Sequence, residues 1–397
     1  DKIALKKLKE EELKASQPQE KQMSAQAIKE IGNLRSQFNI EVAKEQKPQE
    51  EQNTEEVVEV QPVVETPAGN LEKTPEISVM LPGFARDNGF MEAGYRGYNR
   101  IAKEVTTNVK CVSDISATSN REVLTEELRK IAAEGPKLII AHGGQCNAPV
   151  ATVSKEFPQI QFVVIQGGVK SANVSSYKVD QEQSAFLAGA LAGYMTKTDK
   201  VGHISGAWPK PGVQARAAFY DGLKRVNKDA EFYTQFTGNL DNNEINAKAA
   251  EAEISMGVDV IYTMLNGGRF GVNDAIEATN GKVKEIGNVI DWTEVSPIFI
   301  GSAVADSSVA IINAAKDYKA GTLKNNAVTV IGLENPDVVR LAISKQVPKK
   351  VAKKLTKLKD DVLAGKVKIN TVYNGLEFDP VTKKFVDQDA KNHRNKK

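Results

Sequence analysis

The chain has 397 residues, enough for two domains with separate cores, and a formal net charge of +2. That near-balance gives no support to a nucleic-acid partner, which would call for a basic surplus. Two cysteines, Cys111 and Cys146, allow one disulfide at most and lack the paired spacing of a zinc site, and no apolar run is long enough to span a bilayer.

Residues 1–75 are rich in Lys, Glu and Gln and nearly free of aromatics, so they cannot bury enough apolar surface to offset their ordering entropy. They read as a mostly disordered polar tether. Lys2–Lys14 and Met23–Ile40 carry weak helical patterns, the second with Ile28, Ile31, Leu34 and Phe38 on one face, and a partner-binding helix is the alternative there. The sequence opens at Asp1 without Met, which a cleaved signal peptide would fit.

From Ile77 the pattern changes to alternating strands and helices. Ile77–Pro82 predicts a strand and Phe90–Glu104 a helix; Val109–Ser113 a strand and Asn120–Glu134 a helix. Lys137–His142 (KLIIAH) is a third strand, turned by Gly143–Pro149 into a helix ending near Phe157, and Gln161–Gln166 is a fourth. Gln183–Tyr194 is a helix with Ala185, Ala188, Gly189, Ala192 and Gly193 at helical spacing, a face small enough for another element to approach closely. Val201–Ser205 is a buried strand, Gly206–Gly212 a rigid turn carrying Trp208, and Val213–Val226 a helix.

The pattern repeats through Glu231–Thr237, Asn243–Met256, Val258–Met264, Gly268–Thr279 and Lys284–Ile290. Pro297–Val304, a helix to Lys319 and Ala327–Gly332 look like the chain crossing back between lobes. Pro348–Lys366 is an amphipathic helix whose lysines make a solvated face, Lys368–Asn374 a last strand, and the end a polar tail. Strands this apolar, separated by helices, predict an α/β fold of two doubly wound parallel-sheet lobes. The expected bounds are 76–180 with about 301–327 for the first lobe, 181–300 with about 328–375 for the second, and 376–397 for the tail.

The order of motifs resembles the basic membrane protein family, the substrate-binding lipoproteins of ABC importers that include purine-nucleoside receptors. The resemblance rests on Asp87-Asn88-Gly89-Phe90, Phe157–Phe162, Glu182–Gly193 (EQSAFLAGALAG), Gly257–Tyr262, Ile286-Gly287 and Val347–Gly365. No one piece is specific; the resemblance is carried by their order and spacing over residues 76–370. It implies a type I periplasmic-binding fold, lobes that close on a small ligand, ABC permease subunits as partners, and an extracytoplasmic location with a membrane link only through an upstream lipid anchor.

A cleft that selects a flat heteroaromatic ligand needs ring faces above and below it and hydrogen-bond partners at its edge. The resemblance implies that Phe90 and Trp208 supply the faces, against the plainer reading of either ring as core or hinge packing. Asp87 and Asn88 precede Phe90 in its motif. Asp291 matches a family carboxylate that receives donors from the ligand, and Trp292 beside it is either a further wall or a cover for the lobe edge. Gly144 and Gln145, and Asn266 and Gly267, lie in glycine turns at strand carboxyl ends, where backbone N–H groups can approach a ligand, although most such turns only join strand to helix.

Two positions depart from the nucleoside-binding pattern. Gln166 stands where an Asp is usual, and Ala305 where a Lys is usual; Met91-Glu92 also lacks the polar residue customary after the Phe. An amide donates as well as accepts, whereas an ionised Asp only accepts, so a free base or another neutral ring competes with a nucleoside. Cys111 on a strand and Cys146 in a loop leave pairing open, and neither pairs by spacing with His142, His203 or His393 as a nucleophile with its base. No cofactor, metal site or catalytic constellation is expected. The expected function is a non-enzymatic receptor that delivers a purine base or nucleoside to an ABC importer; the alternative is a ligand sensor of the same fold acting in signalling or regulation.

Overall fold

Apolar strands fed by amphipathic helices build two sheets in this computed structural model, which describes residues 74–115, 120–207 and 209–387. The tether read in residues 1–75 therefore lies almost wholly outside the described residues, as do Trp208 and the end of the tail. The first run comprises β1 (Ile77–Met80), α1 (Phe90–Glu104), β2 (Val109–Val112), α2 (Arg121–Ala133), β3 (Leu138–His142), α3 (Asn147–Glu156), β4 (Gln161–Ile165) and β5 (Val174–Val179). The second comprises α4 (Gln181–Met195), β6 (Lys200–Ser205), α5 (Lys210–Val226), β7 (Glu231–Phe236), α6 (Asn243–Ser255), β8 (Val260–Met264), α7 (Arg269–Glu277), β9 (Lys284–Val289) and β10 (Phe299–Ala305). Then come α8 (Ser307–Ala320), β11 (Val328–Ile331), β12 (Val339–Ile343), α9 (Lys349–Leu363), β13 (Glu377–Asp379) and β14 (Lys384–Val386).

The two sheets have the same winding. The first runs β11-β5-β4-β3-β1-β2 and is parallel throughout; the second runs β12-β10-β9-β8-β6-β7, with only β12 antiparallel. Strand order reverses at β1/β3 in one lobe and at β6/β8 in the other. In open α/β sheets such a switch point opens a crevice beyond the strand carboxyl ends, because successive helices leave to opposite faces there. The burial pattern fits: β1, β3 and β8 are buried along their whole length, with helices covering both faces.

The chain crosses between lobes at β5–α4, at β10–α8 and between β11 and β12. The crossings are tied to one another: Asp180 N donates to Ile331 O (2.8 Å), Leu333 N to Gln183 Oε1 (2.8 Å) and Asp306 N to Val338 O (2.8 Å). This placement corrects the sequence-based lobe bounds. Residues 301–305, expected in the first lobe, are β10 of the second sheet, and 328–331, expected in the second, are β11 at the edge of the first.

The small-residue face of α4 does what its composition predicts. A Cβ added at Gly189 would lie 2.7 Å from Phe219 C and closer still to that carbonyl oxygen, and one at Gly222 would lie 2.9 Å from Phe186 C. Helices α4 and α5 thus touch backbone to backbone, each through a glycine of its own. The C-terminal part departs from expectation. Residues 368–374 form no strand, and 377–386, read as tail, form the β13–β14 hairpin. Phe378, fully buried, packs edge-on against Tyr233 (5.2 Å between centroids), and Glu377 reaches the buried Arg216 (3.3 Å), so the hairpin is anchored by apolar and ionic contacts together. Cys111 and Cys146 are buried in separate apolar clusters. No helix among the described residues is long and apolar enough to cross a membrane.

Candidate functional site

The loop leaving β1 carries Asp87-Asn88-Gly89 into the first turn of α1. A helix start leaves its first amides without intrahelical partners. Asp87 meets three of them: Oδ1 accepts from Gly89 N (2.8 Å) and Glu92 N (3.0 Å), Oδ2 from Met91 N (3.1 Å). Glu92 reaches back to accept from Asn88 N (2.8 Å), and Asn88 takes the left-handed backbone that Asn tolerates (φ 57°). Burial pushes the Asp87 carboxyl up from its usual range, with the three amide donors opposing.

Phe90, the first residue of α1, lies flat on His142 at the end of β3, with ring centroids 4.0 Å apart and planes 15° from parallel. His142 is fully buried, and its Nε2 meets Ser307 Oγ (3.0 Å) at the start of α8; its Nδ1 has no partner among the described residues. Burial lowers its pKa to about 3, so the ring is neutral and stacks as an ordinary aromatic face. Gly144 and Gln145 follow directly. Gly143 (φ 119°) makes that turn with its N–H on Ile165 O (2.9 Å), and a Cβ at Gly144 would press on Gln166 O (3.2 Å).

On the second lobe the β8–α7 loop presents Asn266 and Gly267. Asn266 N donates to Leu240 O (3.1 Å) and Gly267 N to Asp241 Oδ1 (2.8 Å), which ties this loop to the one following β7. From there Asn266 Nδ2 reaches Asp87 Oδ2 of the first lobe at 3.3 Å. The loops after β1 and β8, one from each switch point, therefore meet.

Asp291 follows a strained turn: Val289 has φ 70°, which a β-branched residue rarely adopts. Its Oδ1 accepts from Thr293 N (2.9 Å) and Thr293 Oγ1 (2.6 Å), and Arg340 stands 3.6 Å from Oδ2. Below this turn Arg269 pairs with Glu285 (3.2 Å) and donates to Leu265 O (3.0 Å) and to Asn288 Oδ1. Burial raises the Glu285 carboxyl to about 7, with Arg269 pulling it down.

The eleven expected contact residues thus separate. Asp87, Asn88, Phe90 and Asn266 come together where the lobes meet, and Gly144 and Gln145 adjoin them through His142. Gly267 has given its N–H to Asp241. Gln166 is engaged inside the first lobe: at φ 62° its amide turns back on β5, accepting from Val179 N (2.7 Å) and donating to Val179 O (2.9 Å). Trp292 is a wall of the second-lobe interior, 3% exposed, with Nε1 on Asn288 O (2.9 Å), its ring 5.6 Å from that of Phe299 and the Arg269 guanidinium 4.7 Å above it. Trp208 lies outside the described residues. Ala305 is buried. Sequence reasoning weighed His142 as a base for a cysteine and missed its place behind Phe90; the available signal was a polar residue ending an otherwise apolar strand at the carboxyl edge. It also missed Asp241 and Arg340, which only the folded loops bring near.

Comparison with known proteins agrees with this architecture. A solute-binding protein of an ABC transporter system from Aeropyrum pernix superposes with a TM-score of 0.64 at 19% identity, covering 75% of this chain and 93% of that one. The transcriptional activator protein Med of Bacillus subtilis is 25% identical over 253 residues, 64% of this chain and 77% of that protein. The ABC transporter nucleoside-binding protein BmpA of Lactococcus lactis is 24% identical over 204 residues, 51% of this chain and 58% of that protein. The family model described as ABC transporter substrate-binding protein, PnrA-like, matches residues 74–372. On that match, which takes in both lobes and every crossing between them, the chain belongs to the Bmp family of ABC-transporter substrate-binding proteins.

Proposed function

We propose that this protein captures a flat heteroaromatic solute, a purine base or nucleoside, outside the cytoplasmic membrane and delivers it to the permease subunits of an ABC importer, held at the membrane by a lipid anchor upstream of Asp1. The carrying observation is the meeting of Asp87 with Asn266 beside the Phe90–His142 stack. It sets an aromatic face, a carboxylate and an amide from opposing switch points around one point. Phe90 would stack on one face of the ligand and Trp208 on the other, while Asp87, Asn266 and Asp291 would take hydrogen bonds at its edge. Gly144 and Gln145 would close the side next to β3. The name of the L. lactis relative, a nucleoside-binding protein, supports the ligand class.

Titration calorimetry with purine bases and nucleosides tests this reading. Wild-type protein should bind at least one of them, and Phe90→Ala and Trp208→Ala should each weaken that binding by about 1–3 kcal/mol, the worth of a stacked ring and its buried area. Unchanged affinity in both variants overturns the sandwich, and silence toward every purine overturns the ligand class. A second reading, ligand sensing in regulation, is favoured by the likeness to the activator Med. It predicts ligand binding with no loss of uptake when the gene is deleted.

A further inference from the structure

We propose that Gly89 and Asn266 form a latch that closes the two lobes through the protein's own atoms, so that part of the closing free energy is independent of the ligand. The inference rests on reading the junction as the ligand site, and its test needs no ligand. Asn266 Nδ2 donates to Asp87 Oδ2 across the junction at 3.3 Å, between residues 179 apart in the chain. A Cβ on Gly89 would lie 2.5 Å from Asn266 Cγ, 3.2 Å from Asn266 Cβ and closer still to Oδ1. Gly89 has φ −152°, outside the left-handed region, and the close approach of Asn266 leaves no room for a side chain there.

Both halves of the latch are fixed before they meet. Asp87 is held by the amides of Gly89, Met91 and Glu92, and the Asn266 loop by Leu240 O and Asp241. Little freedom is lost when they join. Apparent affinity scales with the fraction of molecules in the binding-competent form. The latch therefore adds one common factor to the affinity for every ligand, apart from whatever contacts Asp87 and Asn266 make with that ligand.

Spin labels on Glu122→Cys in α2 and Glu251→Cys in α6, both exposed, report the distance between lobes by double electron–electron resonance in the full chain without added ligand; the native cysteines are buried. The parent should show mainly the short distance. Gly89→Ala, which blocks the approach, and the isosteric Asn266→Asp, which sets a second carboxylate against Asp87, should each cut the closed-to-open ratio about tenfold. Gly89→Ala combined with Asn266→Gly clears the collision without restoring the hydrogen bond, and should be more closed than Gly89→Ala alone. A parent that is open, a Gly89→Ala distribution matching the parent, or a double variant as open as Gly89→Ala overturns the latch. Failure to bind purines would leave these distances unchanged and would count against the ligand class alone.

Discussion

Gly189→Ala puts two opposing effects on one position, and the structure decides between them. In an isolated helix the change is favourable by about 1 kcal/mol, because alanine loses less backbone freedom than glycine. Here the new Cβ would stand 2.7 Å from Phe219 C and 2.9 Å from Leu223 N, nearer still to the Phe219 carbonyl oxygen. Those are backbone atoms of α5, and they have no rotamer to move into. Ordinary carbon contacts need about 3.5–4.0 Å, so α4 and α5 must separate along a face where Ala185, Ala188 and Ala192 are all buried.

Overpacking of a core costs about 1–3 kcal/mol when side chains can share the strain; against backbone we take the upper end. The net expectation is a loss of about 2 kcal/mol, measured by urea unfolding with far-ultraviolet circular dichroism. Gly193→Ala, one turn along, is the control: its Cβ would meet the Val226 side chain at 2.6 Å and the Leu223 carbonyl only at 3.2 Å. It should cost less, because a valine can turn aside. A Gly189→Ala protein as stable as its parent would refute backbone contact between these helices.

His142→Ala should lower stability by about 3 kcal/mol in the same assay, through the cavity it leaves, the lost stack on Phe90 and the lost bond to Ser307. His142→Phe, which keeps a ring behind Phe90, should recover ligand affinity in calorimetry more fully than it recovers stability. Asp180, where the first crossing enters α4, has its carboxyl raised to about 7 by burial and by its neighbour Glu182, with Lys178 opposing. The folded protein there keeps a proton that the unfolded chain gives up near pH 4, so this group's contribution to stability falls as pH rises from about 4 to 7. Asp180→Asn should accordingly raise the melting temperature at pH 8 and leave it nearly unchanged at pH 4.5.

Strands such as β3 and β4 were legible because burial on both faces forces an unbroken apolar run, and the small face of α4 because close helix contact demands it. Strand β5 (VSSYKV) was not. Its serines are buried yet satisfied by distant carbonyls, Ser176 Oγ donating to Val169 O (2.5 Å) and Ser175 Oγ to Lys324 O. Paired serines interrupt the apolar run by which a buried strand is recognised. Strand β12 escaped for a related reason: it is a short antiparallel edge, with alternation too brief to register. At the site, Phe90 could be singled out by its motif, but side-chain direction could not. Gln166 turns inward because its backbone is left-handed, and Trp292 because glycine at 287 leaves room for the indole above β9; a Cβ there would lie 2.8 Å from Trp292 Cγ. Neither backbone angle nor cross-strand space is written in residue type. The Asp87–Asn266 pairing is further still from legibility, since it depends on how one lobe meets the other.

The two lobes share a winding but not an electrostatic character, and that difference bears on how a ligand would be divided between them. Behind Phe90 the first lobe places a neutral imidazole, uncharged because burial has lowered its pKa to about 3. The second lobe instead buries a charged arginine, Arg269, under Asn288 and Trp292, with Glu285 as its partner. Desolvating such a pair costs least where its remaining groups are met; Thr263, Leu265 and Asn288 accept from the two terminal guanidinium nitrogens, while Nε has no partner among the described residues. The result is a stiff polar floor under the β8 and β9 loops. In the proposed site each lobe would give one ring face, Phe90 and Trp208, and part of the polar edge, Asp87 from the first and Asn266 and Asp291 from the second. Neither half alone would surround a ligand, so binding strength would come from closure, which is the requirement for a ligand to shift a two-state protein toward one state.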